Sequence, residues 1–320
     1  MRIRTLTCAA ALTALAASLL TGCSGTDRDE GGAQRPGPAG TAPGGPGHPT
    51  TPEATTPEAT RSPTAAGTGP ERTSPPTTAG PAPGTPRKAL WRPRPGLAWQ
   101  WQLNGRADPS VDVPVYDIDG FENSAADVAR LHRDGRKVIC YVNVGAWENF
   151  RPDKDAFPRS VLGGTNGWDG ERWLDIRRLS VLRPIMERRF DMCRDKGFDA
   201  VEPDLLEAYS NRTGFPLTAR DQLRYNRMIA EVAHERGLSV GLKNDLPQIP
   251  QLVGDFDFAV NEECAQYREC ERLTPFVKAG KAVFHVEYVV SADGFCPISR
   301  RLGLSSMRKK LELGVWREPC

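Results

Sequence analysis

Two runs of this chain place carboxylates directly after short apolar stretches: Gly197-Phe-Asp-Ala-Val-Glu-Pro-Asp204 and Asn261-Glu-Glu-Cys264. Each apolar stretch reads as a buried strand, and the end of such a strand is where a β/α barrel keeps its chemistry. Two facing carboxyl groups are the minimal equipment for cleaving a glycosidic bond, one giving a proton and the other attacking or activating water. Residues two apart on a strand share a side, so Glu202 and Asp204 point together, as do Asp117 and Asp119. The same rule separates Glu262 from Glu263, one facing the barrel axis and one the helix layer, and leaves open which is which.

These acids need a frame. Apolar or β-rich runs at Trp99–Leu103, Val113–Ile118, Lys137–Val144, Phe198–Glu202, Ser239–Lys243, Phe256–Glu262 and Ala282–Tyr288 predict seven strands. An eighth is expected within Leu311–Trp316. Amphipathic helices fall between several of them. Ser124 and Thr218 have the form of N-caps with Asp127 and Asp221 three residues on, and Gly135 and Gly237 mark the helix ends. A further helix carries Ile185, Met186, Phe190 and Cys193 on one face. Alternation of this kind predicts parallel strands with crossover helices, and the fold expected is a single-domain (β/α)8 TIM barrel over residues 91–320, not an open doubly wound sheet.

The strand ends then carry Gln100, Gln102, Asp117, Asp119, Asn143, Glu202, Asp204, Lys243, Asn244, Asp245, Glu262, Glu263, His285 and Glu287. Any one of these is ordinarily a helix cap or a solvated loop residue. Six strands repeating the pattern at one rim argue for an active face. Aromatic residues lie in or beside the same loops, and flat rings next to hydrogen-bonding groups suit sugars. Trp147 is the one expected to contact a ligand, whereas Trp99 and Trp101 alternate with Gln100 and Gln102, so only one of these pairs faces inward.

Other chemistries find little support. No GxSxG elbow, P-loop or GxGxxG run is present, so neither a serine hydrolase of the α/β type nor a nucleotide cofactor has a seat. The four histidines, His48, His132, His234 and His285, form no ligand cluster, and neither metal nor cofactor is expected. A net charge of +2 is too small to argue for nucleic acid.

Residues 1–22 read as a signal peptide, with Arg2 and Arg4 before an apolar stretch too short to span a membrane. Leu20-Thr-Gly-Cys23 resembles a bacterial lipobox, which would make Cys23 a lipid anchor on the outer face of the cell membrane; plain secretion is the alternative. From Ser24 to Ala89 there is no Val, Ile, Leu, Met, Phe, Trp or Tyr, and 14 of the 28 prolines fall here, so residues 23–90 are expected to be a disordered spacer. Cys140, Cys193, Cys264, Cys270, Cys296 and Cys320 are an even set in an exported domain and predict three disulfides. Five residues separate Cys264 from Cys270, the most direct pairing; Cys140–Cys193 and Cys296–Cys320 follow by elimination.

Taken as a set, the motifs resemble glycoside hydrolase family 114, the endo-α-1,4-polygalactosaminidases. The likeness rests on Trp99-Gln-Trp-Gln-Leu103, Val115-Tyr-Asp-Ile-Asp119, Cys140-Tyr-Val-Asn-Val-Gly-Ala-Trp-Glu148, Trp168-Asp-Gly-Glu-Arg-Trp-Leu-Asp-Ile176, Gly197–Asp204, Gly241-Leu-Lys-Asn-Asp245, Asn261–Cys264 and Val286-Glu-Tyr288. It implies a TIM barrel that hydrolyses α-1,4-linked galactosamine polymers, with Asp204 and Glu262 as the catalytic pair. Substrate contacts are expected from Asp117, Asp119, Tyr141, Trp147, Glu202, Lys243, Asn244, Asp245, Glu263, Glu287 and Tyr288. A partly deacetylated amino sugar is a cation at neutral pH, and an acidic rim would attract it. The competing readings are a non-catalytic surface lipoprotein that binds such a polymer, and a glycosidase of a different amino-sugar polymer. A monomer suffices for any of these.

Overall fold

The computed structural model describes residues 90–320. The expected signal peptide, Cys23 and the spacer lie outside the described residues. In chain order the elements are β1 (Trp99–Gln102), β2 (Val115–Asp119), α1 (Ala125–Arg133), β3 (Lys137–Asn143), β4 (Ala146–Glu148), β5 (Leu162–Thr165), β6 (Glu171–Leu174) and α2 (Leu179–Asp195). There follow β7 (Ala200–Asp204), α3 (Ala219–Glu235), β8 (Ser239–Lys243), α4 (Ile249–Leu252), β9 (Phe258–Glu262), α5 (Thr274–Lys278), β10 (Val283–Glu287), α6 (Ala292–Leu302), β11 (Ser305–Arg308) and β12 (Glu318–Pro319).

Local sequence explains where the helices start. Ser124 and Thr218 each accept from the amide three residues on, and the carboxylates of Asp127 and Asp221 reach back to the cap amides, which closes two capping boxes. Gly135 and Gly237, at φ +76° and +71°, let the chain leave α1 and α3 at once for the next strand.

Strands β1, β2, β3, β7, β8, β9, β10 and β11 pair in that order, all parallel, and β12 adds antiparallel to β11. The sheet curls until its ends meet. Trp99 Nε1 donates to the Ser305 carbonyl at 2.9 Å, and Lys309 Nζ lies 3.5 Å from Gln100 Oε1. Inward residues from both ends, Trp99, Trp101, Val115, Ile139, Phe258, Val260, Phe284, Val286 and Met307, form one buried cluster along the axis. The tryptophan pair therefore fills the barrel, and Gln100 and Gln102 turn away from the axis to bond loop carbonyls. Gly241 is required inside, since a Cβ there would lie 2.4 Å from the Phe258 ring. A second, larger core lies between the strands and the helices.

One strand is not where the sequence suggests. The eighth barrel strand is Ser305–Arg308, and Leu311–Trp316 instead runs across the seam between β11 and β1. There the Leu313 carbonyl accepts from the Leu103 and Asn104 amides at 3.1 and 3.3 Å, and the Val315 carbonyl accepts from Gln100 Nε2 at 2.7 Å. All three disulfides have the expected partners: Cys140–Cys193 joins β3 to α2, Cys264–Cys270 closes the loop after β9, and Cys296–Cys320 ties the C-terminus to α6. Strands β4, β6 and β5 make a small antiparallel sheet inserted after β3.

Candidate active site

The inward faces of β7, β8 and β9 converge on one lysine. Alternation from Ala200 and Phe258, both inside the barrel, carries Glu202, Asp204 and Glu262 to the axis at the C-terminal ends of their strands. Lys243, last residue of β8, lies between them: its Nζ is 2.9 Å from Glu202 Oε1, 2.9 Å from Asp204 Oδ1 and 3.4 Å from Glu262 Oε2. The ammonium also sits 4.8 Å from the centroid of the Trp101 ring, a cation–π contact. Burial alone would lower the lysine pKa, but the surrounding carboxylates outweigh it and hold the ammonium well above its ordinary value.

Each of the two acids nearest solvent also has its own tyrosine. Tyr141 on β3 donates to Asp204 Oδ2 at 2.8 Å, and Tyr288, just past β10, donates to Glu262 Oε1 at 2.5 Å. Burial and the adjacent carboxylates push both phenols well above their ordinary pKa, so they stay donors. Below this layer Glu202 is sealed from water, takes Trp101 Nε1 at 2.9 Å, and faces Asp117. Asp117 is wholly buried, and burial and the neighbouring Glu202 push its carboxyl well above the usual range.

The backbone around the site is unusual as well. Leu205, Asn244, Asp245 and Glu263 follow β7, β8 and β9 directly and all have φ between +46° and +64°, in the left-handed region that costs non-glycine residues energy. These turns have work to do: Asn244 Oδ1 accepts from the Glu262 amide at 3.0 Å and from Asn261 Nδ2 at 3.1 Å, which fixes the end of β9. Gly145 packs against the first of them, since a Cβ there would meet the Leu205 carbonyl at 2.1 Å.

The residues expected at the site divide into three groups. Asp204, Glu262, Tyr141, Tyr288, Lys243, Glu202 and Asp117 come together, although Lys243, Glu202 and Asp117 form its floor and do not line an open cleft. Glu263 and Asn244 stand at its edge. Asp119, Asp245, Glu287 and Trp147 do not join it. Asp119 is held by Arg151 at 3.0 and 2.6 Å. Asp245 is buried with Asn226 Nδ2 at 3.0 Å, and burial with nearby Glu207 raises its carboxyl to about 9. Glu287 points away from the axis, where it meets His285 at 2.9 Å and accepts the Ala265 amide at 2.7 Å. Trp147 turns its ring nitrogen to the Lys154 carbonyl at 3.0 Å. Glu171 on β6, inside the Trp168–Ile176 run but not among the expected contacts, also lies here. It receives Asn143 and Asn166 at 3.4 and 2.7 Å, and burial with nearby Asp204 raises its pKa. No signal in a strand-by-strand reading marks a residue brought in by an insertion.

Among the described residues one cluster has metal-ligand types, Cys264, Cys270 and His285, but both sulfurs are spent in a disulfide. At the barrel mouth each oxygen of Asp204 and Glu262 already has a lysine or tyrosine partner. Paired acids held this way can do acid-and-nucleophile chemistry at an acetal carbon.

The family model of glycoside-hydrolase family GH114 matches residues 80–320. This chain belongs to that family. The GH114 chain is a glycoside hydrolase, which removes the purely binding alternative. It is 41% identical to Ega3 of Aspergillus fumigatus, whose crystal structure is a complex with galactosamine; the match covers 74% of this chain and 100% of that one, with a TM-score of 0.70. The glycoside hydrolase domain of PelA from Pseudomonas aeruginosa shares the fold at 14% identity, covering 70% of this chain and 98% of that one, with a TM-score of 0.56. No curated protein matches.

Proposed function

We propose that this GH114 enzyme is exported and cleaves internal α-1,4 linkages of galactosamine-containing polysaccharide with retention of configuration, Asp204 acting as nucleophile and Glu262 as general acid. The substrate class is supported by the 41% identity, over the whole of its chain, to a protein crystallised with galactosamine. It is also supported by the half-buried acids Asp204, Glu262, Glu263 and Glu171 near one mouth, which suit a sugar carrying an ammonium group.

One observation carries the mechanism: Lys243 touches both acids. Oxygens 2.9 and 3.4 Å from the same nitrogen are at most about 6.3 Å apart, short of the ~6.5–9.5 Å that leaves room for an inverting water. Asp204 accepts from both Lys243 and Tyr141, an arrangement suited to an anion that attacks the anomeric carbon. Glu262, with the longer lysine contact, gives its proton to the departing glycosidic oxygen. Water then enters, Glu262 takes its proton, and hydroxide attack on the glycosyl ester of Asp204 restores the α configuration and frees the carboxylate.

The reading extends to the rest of the chain. Residues 1–22 direct export, Cys23 carries lipid, residues 23–90 are a spacer, and residues 91–320 work as a monomer at the outer cell surface. Three disulfides support an oxidising compartment. Reducing-end release from partly deacetylated α-1,4-galactosamine polymer tests the activity: Asp204→Asn and Glu262→Gln should each lose at least about a thousandfold in kcat while still binding polymer. Full activity in both would sink the assignment, and a β-anomeric first product, seen by NMR, would replace retention with inversion. Cys23→Ser should move the enzyme from the membrane fraction to the medium; no change would remove the anchor.

A further inference from the structure

The insertion after β3 has two unlike faces. Cross-strand pairs share a side, so Ala146 with Trp173 and Glu148 with Glu171 form one face, which is turned into the molecule. Trp147, Arg172 and Thr165 form the other. That outer face borders a cavity of about 410 Å³ also lined by Trp168, Asp169 and Glu171.

We propose that this outer face is a second sugar-binding surface, which takes an amino-sugar ring of the same polymer chain at a distance from the catalytic acids. The inference rests on the galactosamine-polymer reading. Its anchor is Trp168, 55% exposed at the tip of the β5–β6 hairpin. Exposure of so large an aromatic on a floppy loop would mean little, but this tip is tied down. The Trp168 amide bonds Asn166 Oδ1 at 3.1 Å, its carbonyl takes the Glu171 amide at 3.2 Å, and the Gly170 carbonyl takes the Asn149 amide at 2.9 Å. Trp147 is held by its ring, whose nitrogen donates to the Lys154 carbonyl at 3.0 Å. Arg172 is pinned along the sheet by the Gly163 and Leu162 carbonyls at 2.7 and 3.4 Å.

One oriented indole, Trp147, and an exposed one, Trp168 on a tied-down backbone, stand beside a carboxylate and suit one ligand class. The apolar C–H face of a pyranose stacks on an indole, and the carboxylate of Asp169 attracts the ammonium of a deacetylated unit. The surface is also connected to the chemistry. Asn166 at the hairpin tip donates to Glu171, which in turn receives Asn143 at the barrel mouth.

The test uses the full-length enzyme, wild type beside Trp168→Ala and Trp168→Phe. Affinity electrophoresis through gels holding partly deacetylated α-1,4-galactosamine polymer reads binding, and kinetics on that polymer and on galactosamine disaccharide read its use. Loss of a well-packed tryptophan contact should raise KM for the polymer about fivefold or more, with kcat and disaccharide cleavage unchanged. Trp168→Ala should run faster through the polymer gel than wild type, and Trp168→Phe should recover most of the retention. Equal retention and equal KM for wild type and Trp168→Ala overturn the surface and leave the activity standing. If the wild type cuts no galactosamine polymer, the substrate reading fails on its own, and the gel alone decides: retention lost in Trp168→Ala supports the surface, and equal migration overturns it.

Discussion

Strand β2 sends two aspartates, both toward the axis, into two different buried polar networks. Asp117 enters the one beneath the proposed catalytic acids, where a single cation, Lys243, faces Glu202, Asp204 and Glu262. Asp119, one turn of the pleat higher, enters the one behind β4, where Arg151 and Arg189 share Asp119, Glu148 and Asp153. In the second network the guanidiniums grip Asp119 and Asp153 with two bonds each, and Arg189 also donates to the Asn143 carbonyl. Forked pairs of this kind hold geometry. In the first network four carboxyls, Asp117, Glu202, Asp204 and Glu262, have one cation between them, against three carboxyls for two guanidiniums in the second, and the lysine is a point charge that three acids share. Under-compensated charge of this sort at a barrel mouth marks the place where protons move. The comparison teaches that burial alone does not distinguish scaffold from chemistry; the ratio of cations to carboxyls, and the fork against the point charge, does.

The sharpest way to break this contrast is Lys243→Met. Removing the shared cation leaves Asp204 and Glu262 facing each other, so kcat should fall about 100- to 1000-fold and the acid limb of the pH–rate profile should move to higher pH. A variant with an unshifted profile would show that the lysine only fills space. Next comes Arg151→Met, which strands Asp119 and Glu148 without their fork. Thermal or urea unfolding should report about 3–5 kcal/mol lost, with kcat per folded molecule close to wild type. A large kcat loss with stability intact would mean that the two networks are one.

The smallest effect calibrates the others. Asp127, in the capping box of α1, is pushed up by burial but held down more strongly by Arg106 and Ser124, to about 2. A depressed carboxyl stabilises the fold above its ordinary value near pH 4, and that contribution disappears as pH falls through about 2. Asp127→Asn should cost about 1 kcal/mol at pH 7 and flatten the stability–pH curve between those limits. An unchanged curve would assign the acid sensitivity elsewhere.

What could be read from the sequence was whatever depends on near neighbours. The capping boxes at Ser124 and Thr218 are complete within four residues, and seven strands announce themselves by apolar runs bounded by turns. The eighth, Ser305-Ser-Met-Arg308, places just one large apolar side chain, Met307, on the axis and leans on Trp99 for closure. Leu311–Trp316 is the more apolar segment and so drew the assignment, although its job is to cover the seam. Glu287 and Tyr288 are adjacent at one strand end, and the pleat lets only one of them face the axis. Val286 inside the barrel means that it is Tyr288. Asp245 was lost to the site by a left-handed backbone turn that carries its side chain outward to Asn226.

By itself, then, the sequence determined the alternation of strands and helices, the Cys264–Cys270 pair and the rim on which acids collect, because propensity, capping, short spacing and the period of two are local. It also singled out Asp204 and Glu262 through family resemblance. Only the tertiary structure decided that Lys243 belongs between those acids, 39 residues from one and 19 from the other, and that Asp117 and Asp119 part company. An ammonium's role is set by which carboxylates surround it in space. That number is fixed when β7, β8 and β9 close side by side, and no spacing along the chain encodes it.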